Sequence, residues 1–164
     1  MLKDLVLPLL AVAIFVSLVG YLVKNPQKLS FFLGQNNTSQ YSKVVEINGN
    51  KIEVVVADTD EKRKVGLADT KSLNSNQGML FIFPTKDVKP TFWMKDMEID
   101  IDIIWINDNK IVQIDKNVKA PDATTIDAKL ETFKATNPID YVLEVPAMYS
   151  DRNKIKVGDS VLIN

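Results

Sequence analysis

The stretch Val44-Val45-Glu46-Ile47-Asn48-Gly49-Asn50-Lys51-Ile52-Glu53-Val54-Val55-Val56-Ala57 decides the fold class. β-Branched residues run up to Asn48-Gly49 and resume after it. That dipeptide readily takes the two successive positive φ angles of a two-residue hairpin turn. Residues 44–57 therefore read as a hairpin turned at Asn48-Gly49. Moving outward, the signals stay mostly strand. Gly78-Met79-Leu80-Phe81-Ile82-Phe83 is an apolar run closed by Pro84, and Pro90 opens a second, Thr91-Phe92-Trp93-Met94-Lys95. Residues 101–106 form a third, Asn107-Asp108-Asn109 turns, and 110–114 returns. Residues 141–145 end at Pro146, and 161–163 follow the turn Gly158-Asp159.

Helical signals are few. In Asp58-Thr59-Asp60-Glu61, an Asp at the N-cap with Glu three residues on predicts a short helix over 59–68, with Val65 and Leu67 toward the core. Ile126, Leu130 and Phe133, spaced by four and three, suggest a second over 124–134. Many short strands with one or two short helices predict an α+β, β-rich domain: a mostly antiparallel, barrel-like sheet. Phe81, Phe83, Ile104, Ile106, Val142 or Leu143, and Val161 are expected to share one core.

Before this domain the chain reads differently. Residues 5–23, LVLPLLAVAIFVSLVGYLV, carry no charge and are bounded by Asp4 and Lys24. As a helix at about 1.5 Å per residue they would span roughly 28 Å, close to the hydrocarbon thickness of a bilayer. Cleavage after Gly20 or Gly34 would put Leu18 or Phe32 at the −3 position, where a small residue is wanted. The expectation is a membrane anchor or signal segment over 1–24, retained rather than cleaved. A linker over 25–42 and a soluble domain over 43–164 would follow, the latter outside the cytoplasm. Cleavage would make the product secreted. Charge does not decide orientation, because lysines flank both ends.

Composition excludes more than it selects. The 164 residues hold no histidine and no cysteine, which removes disulfides, thiolate nucleophiles, Cys and His metal ligands and a Ser-His-Asp triad. The six glycines are too scattered for a phosphate-cradling loop. Twenty Lys and Arg against 21 Asp and Glu, without a basic block, give no nucleic-acid footprint. No cofactor is implied.

The phrases GMLFIFP, FWMKDMEIDIDIIWI, YVLEV and VGDSV, in this order and spacing, resemble the uncharacterised conserved family catalogued as domain of unknown function 192. The resemblance runs from about residue 44 to 163. It implies one β-rich domain and export, and no activity. Gly66 and Leu67 match the family's opening of this region. Ala68 and Thr70 stand where the family usually has Met and Arg, so any role of that Arg would fall here to another residue such as Lys71.

Four residues form the candidate ligand-binding group: Trp93, Lys95, Asp102 and Glu144. In an extended chain Trp93 and Lys95 share a face, where an aromatic ring beside an ammonium offers a platform for a sugar or peptide. The alternative is a core Trp with Lys95 ion-paired at its edge. Asp102 and Glu144 are acids among apolar residues, and Lys95 is the expected partner of Glu144. Asp96, Glu98, Asp100 and Asp102 alternate with Met97, Ile99, Ile101 and Ile103. If extended, the acids share one face about 6.5–7 Å apart, able to hold a cation or a polyol or to supply an acid/base pair, or else forming the solvated face of a half-buried strand. Lys71 with Ser72 or Ser75 could make a Ser/Lys dyad only if folding joined them. The functional expectation is a membrane-anchored extracytoplasmic module without catalysis, attached through residues 5–23 and meeting an envelope glycan or protein. The alternative is a hydrolase acting on envelope glycans or peptides through paired carboxylates.

Overall fold

The computed structural model describes Gly20, Tyr21 and residues 41–164 except Ala123. Residues 41–164 form one compact unit. The expected anchor and linker, residues 1–24 and 25–42, lie outside the described residues apart from Gly20 and Tyr21, which are helical, and Tyr41 and Ser42. Among the described residues no helix is long and apolar enough to cross a membrane.

Within residues 41–164, nine strands and two short α-helices follow in chain order. They are β1 (Lys43–Ile47), β2 (Asn50–Ala57), α1 (Asp60–Val65), β3 (Gln77–Ile82), β4 (Thr91–Trp93), β5 (Ile101–Asn107), β6 (Lys110–Val118), β7 (Thr132–Lys134), β8 (Tyr141–Pro146), α2 (Tyr149–Arg152) and β9 (Val161–Ile163). The first hairpin turns where the sequence places it, with Asn48 at φ 52° and Gly49 at φ 78°. Seven strands make one sheet in the order β6-β5-β8-β3-β2-β1-β9, and β4 pairs with β7 in a separate ribbon. Every pair is antiparallel except β2–β3, which α1 connects. The sheet curls until its two edges meet at one end. There Ile111 N–H donates to Asp159 O at 3.0 Å and Val161 N–H to Asn109 O at 2.8 Å. The architecture is a β-rich half-barrel with short helices.

Alternation along the strands divides the apolar residues between two faces. The concave interior holds Val45, Ile47, Ile52, Val54, Leu80, Ile104, Ile106, Leu143, Val145 and Val161, closed by Tyr149 and Ile155. The convex face holds Met79, Phe81, Ile101, Ile103, Trp105 and Val142, covered by Leu67, Met94, Met97, Phe92 and Phe133. The single core expected from the sequence is thus two. Phe81 and Val142 face one way, and Ile104, Ile106, Leu143 and Val161 the other, because neighbours along a strand cannot share a side.

Three local expectations change. The helix at 59–68 is shorter, Asp60–Val65, and Thr59 rather than Asp58 caps it, its Oγ1 accepting from Lys62 N–H at 3.2 Å. The helix buries none of its own residues, and Val65 is exposed. Gly66 ends it at φ 54°, a conformation open to glycine, and turns Leu67 inward. The helix at 124–134 is replaced by a 3-10 turn, Asp127–Lys129, and by β7, because Thr132 and Phe133 gain cross-strand partners in Trp93 and Phe92. The acidic alternation over 96–103 does not extend. Asp96 is left-handed at φ 56°, and β5 begins only at Ile101.

Candidate functional site

The convex face is covered by short pieces rather than by a continuous layer. A cavity of about 300 Å³ opens between them. Its floor is Glu144 on β8, the strand near the middle of the sheet. The register sets Glu144 between Met79 on β3 and Ile103 on β5. Its walls are Phe81, Phe83, Phe92, Leu67 and Met97, and Val65 and Trp93 stand at the mouth. Phe92 holds the ribbon down by edge-to-face packing on two residues of the sheet, 4.8 Å from Phe81 and 5.4 Å from Trp105 between ring centroids. The Trp105 indole N–H donates to Asp115 Oδ2 at 2.7 Å, which satisfies the one polar atom of that buried ring.

Glu144 is 5% exposed, and its Oε2 has no hydrogen-bond partner. Burial among apolar side chains pushes its carboxyl up to about 8. At neutral pH the group is therefore largely the uncharged acid, able to donate a hydrogen bond into the cavity. Its closeness to β3 has a sequence cause. A Cβ on Gly78 would overlap the Glu144 carbonyl oxygen and crowd Val145. Glycine at that position lets the two strands approach.

The charged groups lining the cavity besides Glu144 are Arg63 and Lys64 on α1 and Lys95 after β4. Arg63 is engaged: it donates to Ile82 O at 2.6 Å and to Asp60 Oδ1 at 2.5 Å, and its guanidinium lies 5.8 Å from the Phe83 ring centroid. Lys95 pairs with Asp127, which raises its ammonium above the ordinary lysine value. A second hollow lies on the other side of Lys95, bordered by Asp69, Asp96, Glu98, Asp122 and Asp127.

Of the four candidate residues, three line this cavity: Trp93, Lys95 and Glu144. Trp93 is 51% exposed, not a core residue. The partner expected for Lys95, Glu144, is replaced by Asp127, because Lys95 stands at the mouth and the carboxyl at the floor. Asp102 is elsewhere. It pairs in register with Val145 and so projects into the concave side, away from Glu144. There it is fully buried and accepts three backbone N–H bonds, from Asn117 at 2.8 Å, Met148 at 3.1 Å and Ser150 at 2.8 Å. The first fills the bulge of β6 opposite Asp102, and the other two cap the start of α2. Asp102 is a fastener of the fold.

The row of acids disperses in the same way. Asp100 holds Lys119 and Ala120 N–H at 2.6 and 2.8 Å. Among the described residues no cluster of acids is arranged to hold a metal ion. The sequence reading missed Phe81, Phe83, Phe92, Arg63 and Lys64 as lining residues. Of the signals for them, only Gly66-Leu67, noted for its family match, pointed to this corner.

The model of DUF192, described as Uncharacterized ACR, matches residues 43–163. Among solved structures, a protein of unknown function from Novosphingobium aromaticivorans DSM 12444 superposes with a TM-score of 0.65 at 27% identity, over 73% of this chain and 83% of that one. A candidate transcription regulator from Sinorhizobium meliloti 1021 gives a TM-score of 0.65 at 24% identity, over 75% and 95%. The second likeness is one of fold. No curated protein matches the chain.

Proposed function

The chain belongs to the DUF192 family, and on that footing we propose that it is a membrane-anchored, extracytoplasmic binding module without catalytic activity, its ligand seated over Glu144. One observation carries the reading: a buried, unpartnered carboxyl forms the floor of an aromatic cavity. Buried acids that only support a fold are hydrogen-bonded, as Asp102 is by three N–H groups. Glu144 has the burial without the partners, which suits a group completed by a ligand. Hydrolysis by paired carboxylates needs a second acid across roughly 5–10 Å. Among the described lining residues Glu144 is the sole carboxyl, and this favours binding over hydrolysis. Anchoring through residues 5–23 and a place outside the cytoplasm rest on the uncharged run there. A component of the envelope is the partner the compartment would supply, with exposed Trp93 as a stacking face at the mouth.

The test is calorimetric titration of the full chain in detergent against peptidoglycan fragments and small organic acids, with Glu144→Leu and Trp93→Ala beside it. Saturable binding that both variants weaken at least tenfold is expected. Absence of binding overturns the proposal, and cleaved fragments in the mass spectrum would replace it with the hydrolase.

A further inference from the structure

We propose that the cavity selects a compact monoanion with an apolar ring body: its anionic end lies at the mouth beside Lys64 and Lys95, and an uncharged hydrogen-bond acceptor at its other end meets the Glu144 carboxylic acid. The inference rests on the reading of this cavity as the ligand site and adds the ligand's chemical class.

Three features set that class. The first is the floor. Glu144 lies between Met79, Ile103 and Val142, and no cation reaches its free oxygen. The acid form has one O–H to give, so the complementary ligand atom is an acceptor. A ligand cation would instead demand that Glu144 ionise.

The second is the wall. Apart from Glu144, the inner lining is Phe81, Phe83, Phe92, Leu67 and Met97, with Thr91 and the basic residues nearer the mouth. A body rich in hydroxyls would bury donors and acceptors with nothing to meet them, each costing affinity. An aromatic or alicyclic ring gains from the same walls. The volume of about 300 Å³ sits at the lower end of small-ligand pockets and suits one ring with short substituents.

The third is the mouth. Lys64 makes no ion pair among the described residues and faces the opening. Arg63 and Lys95 have partners in Asp60 and Asp127, which lie outside the lining. An entering anion therefore meets the unpaired ammonium of Lys64 and no carboxylate in the lining but Glu144, while Arg63 and Lys95 are already balanced by their acids.

The charged groups facing Glu144 are few on every side. Helix α1 brings Arg63 and Lys64, and the segment after β4 brings Lys95. On the same sheet face β6 carries Asp115, which is held by Trp105 and Gln113. The acids Asp69, Asp96, Glu98 and Asp122 border the separate hollow beyond Lys95. None of these competes with the ligand for the Glu144 proton. The rise of that carboxyl to about 8 then sets the pH range over which an acceptor is held.

Four probes sharing one ring test both ends: 4-methoxybenzoate, the neutral 4-methoxybenzamide, the cationic 4-methoxybenzylammonium, and 4-ethylbenzoate, which lacks the acceptor. Affinities are measured on the full chain by ligand-observed NMR at pH 6.5, with 4-methoxybenzoate repeated at pH 9. The expected order puts 4-methoxybenzoate at least tenfold ahead of the amide and the ammonium, and several-fold ahead of 4-ethylbenzoate. Its affinity should fall about tenfold by pH 9, as Glu144 loses its proton. In Glu144→Gln, whose amide still donates, the probe should bind with that fall abolished. Tightest binding of the ammonium, or affinity that rises with pH, overturns the inference. If none of the four probes binds but peptidoglycan fragments do, and Glu144→Leu weakens them, the ligand class is wrong and the binding module stands. If neither set binds, both fall.

Discussion

Replacing Glu144 by Gln should stabilise the protein in a way that depends on pH. In the unfolded chain the carboxyl titrates near 4.5, and in the folded protein burial moves it to about 8. Between those values the folded state holds a proton that the unfolded state has released. Unfolding free energy then falls as pH rises, because its slope follows the excess of protons bound by the unfolded state, here negative. At about 1.4 kcal/mol per pH unit, the interval from 4.5 to about 8 amounts to about 5 kcal/mol. About 4 kcal/mol of this is in place at pH 8, where the folded carboxyl is half ionised. Gln is close to the protonated acid in size and carries no charge, so the variant escapes the penalty.

The assay is urea unfolding of wild type and Glu144→Gln from pH 4 to 9, plotted as the difference between the two, which cancels every other titrating group. The difference should be flat below about pH 4.5, grow in favour of the variant to about pH 8, and then level off. A difference constant within about 1 kcal/mol from pH 5 to 8.5 would refute the assignment of a protonated acid to the cavity floor.

Gly78→Ala should cost about 3 kcal/mol, as overpacking of a close strand pair does, and a urea midpoint shift with unchanged m-value checks it. Asp102→Ala should cost about 3 kcal/mol or more, since three N–H groups lose their acceptor, whereas Asp102→Asn keeps an oxygen for some of them and should lose less. A loss below about 1 kcal/mol in the Ala variant would contradict its role in fastening the β6 bulge to α2. For the anchor, protease added to intact cells should remove the domain, and mass analysis of the mature protein should find residues 5–23 still attached; a product beginning after Gly20 or Gly34 would show cleavage.

The strands were legible because β-branched alternation and Asn-Gly or Asn-Asp turns are local signals, and all the expected runs formed strands. The faces were less so. Whether Phe81 shares a side with Ile104 depends on register across β3, β8 and β5, which no local pattern states. The same limit governs the site. Trp93, Lys95 and Glu144 line one cavity, but Asp102 is adjacent to the Glu144 strand and on its reverse, one residue of register away. The acidic alternation failed for a different reason. Period-two patterning gives a shared face only if the chain is extended, and Asp96 turns left-handed before β5 begins. Phe92 and Arg63 were unreadable as site residues because each joins the cavity through a distant contact, Phe92 on Trp105 and Arg63 on Ile82 O.

The two apolar faces have different tolerances, and this explains why the cavity lies where it does. The concave side is bounded by strands on its walls, drawn together where β6 meets the approach to β9, and is filled by Tyr149 and Ile155. A gap there would expose strand side chains on all sides and lose packing that nothing returns. The convex side is covered by α1, the chain after Gly66 and the β4–β7 ribbon, each only three to six residues per element. Short covering elements touch the sheet at isolated points, Leu67, Phe92 and Phe133, and leave a cavity over β8 between them. Glu144 forms the buried floor of that cavity. On the concave side it would be an uncompensated acid in a closed core. On the convex side the same residue faces a cavity whose mouth is open at Lys64 and Trp93.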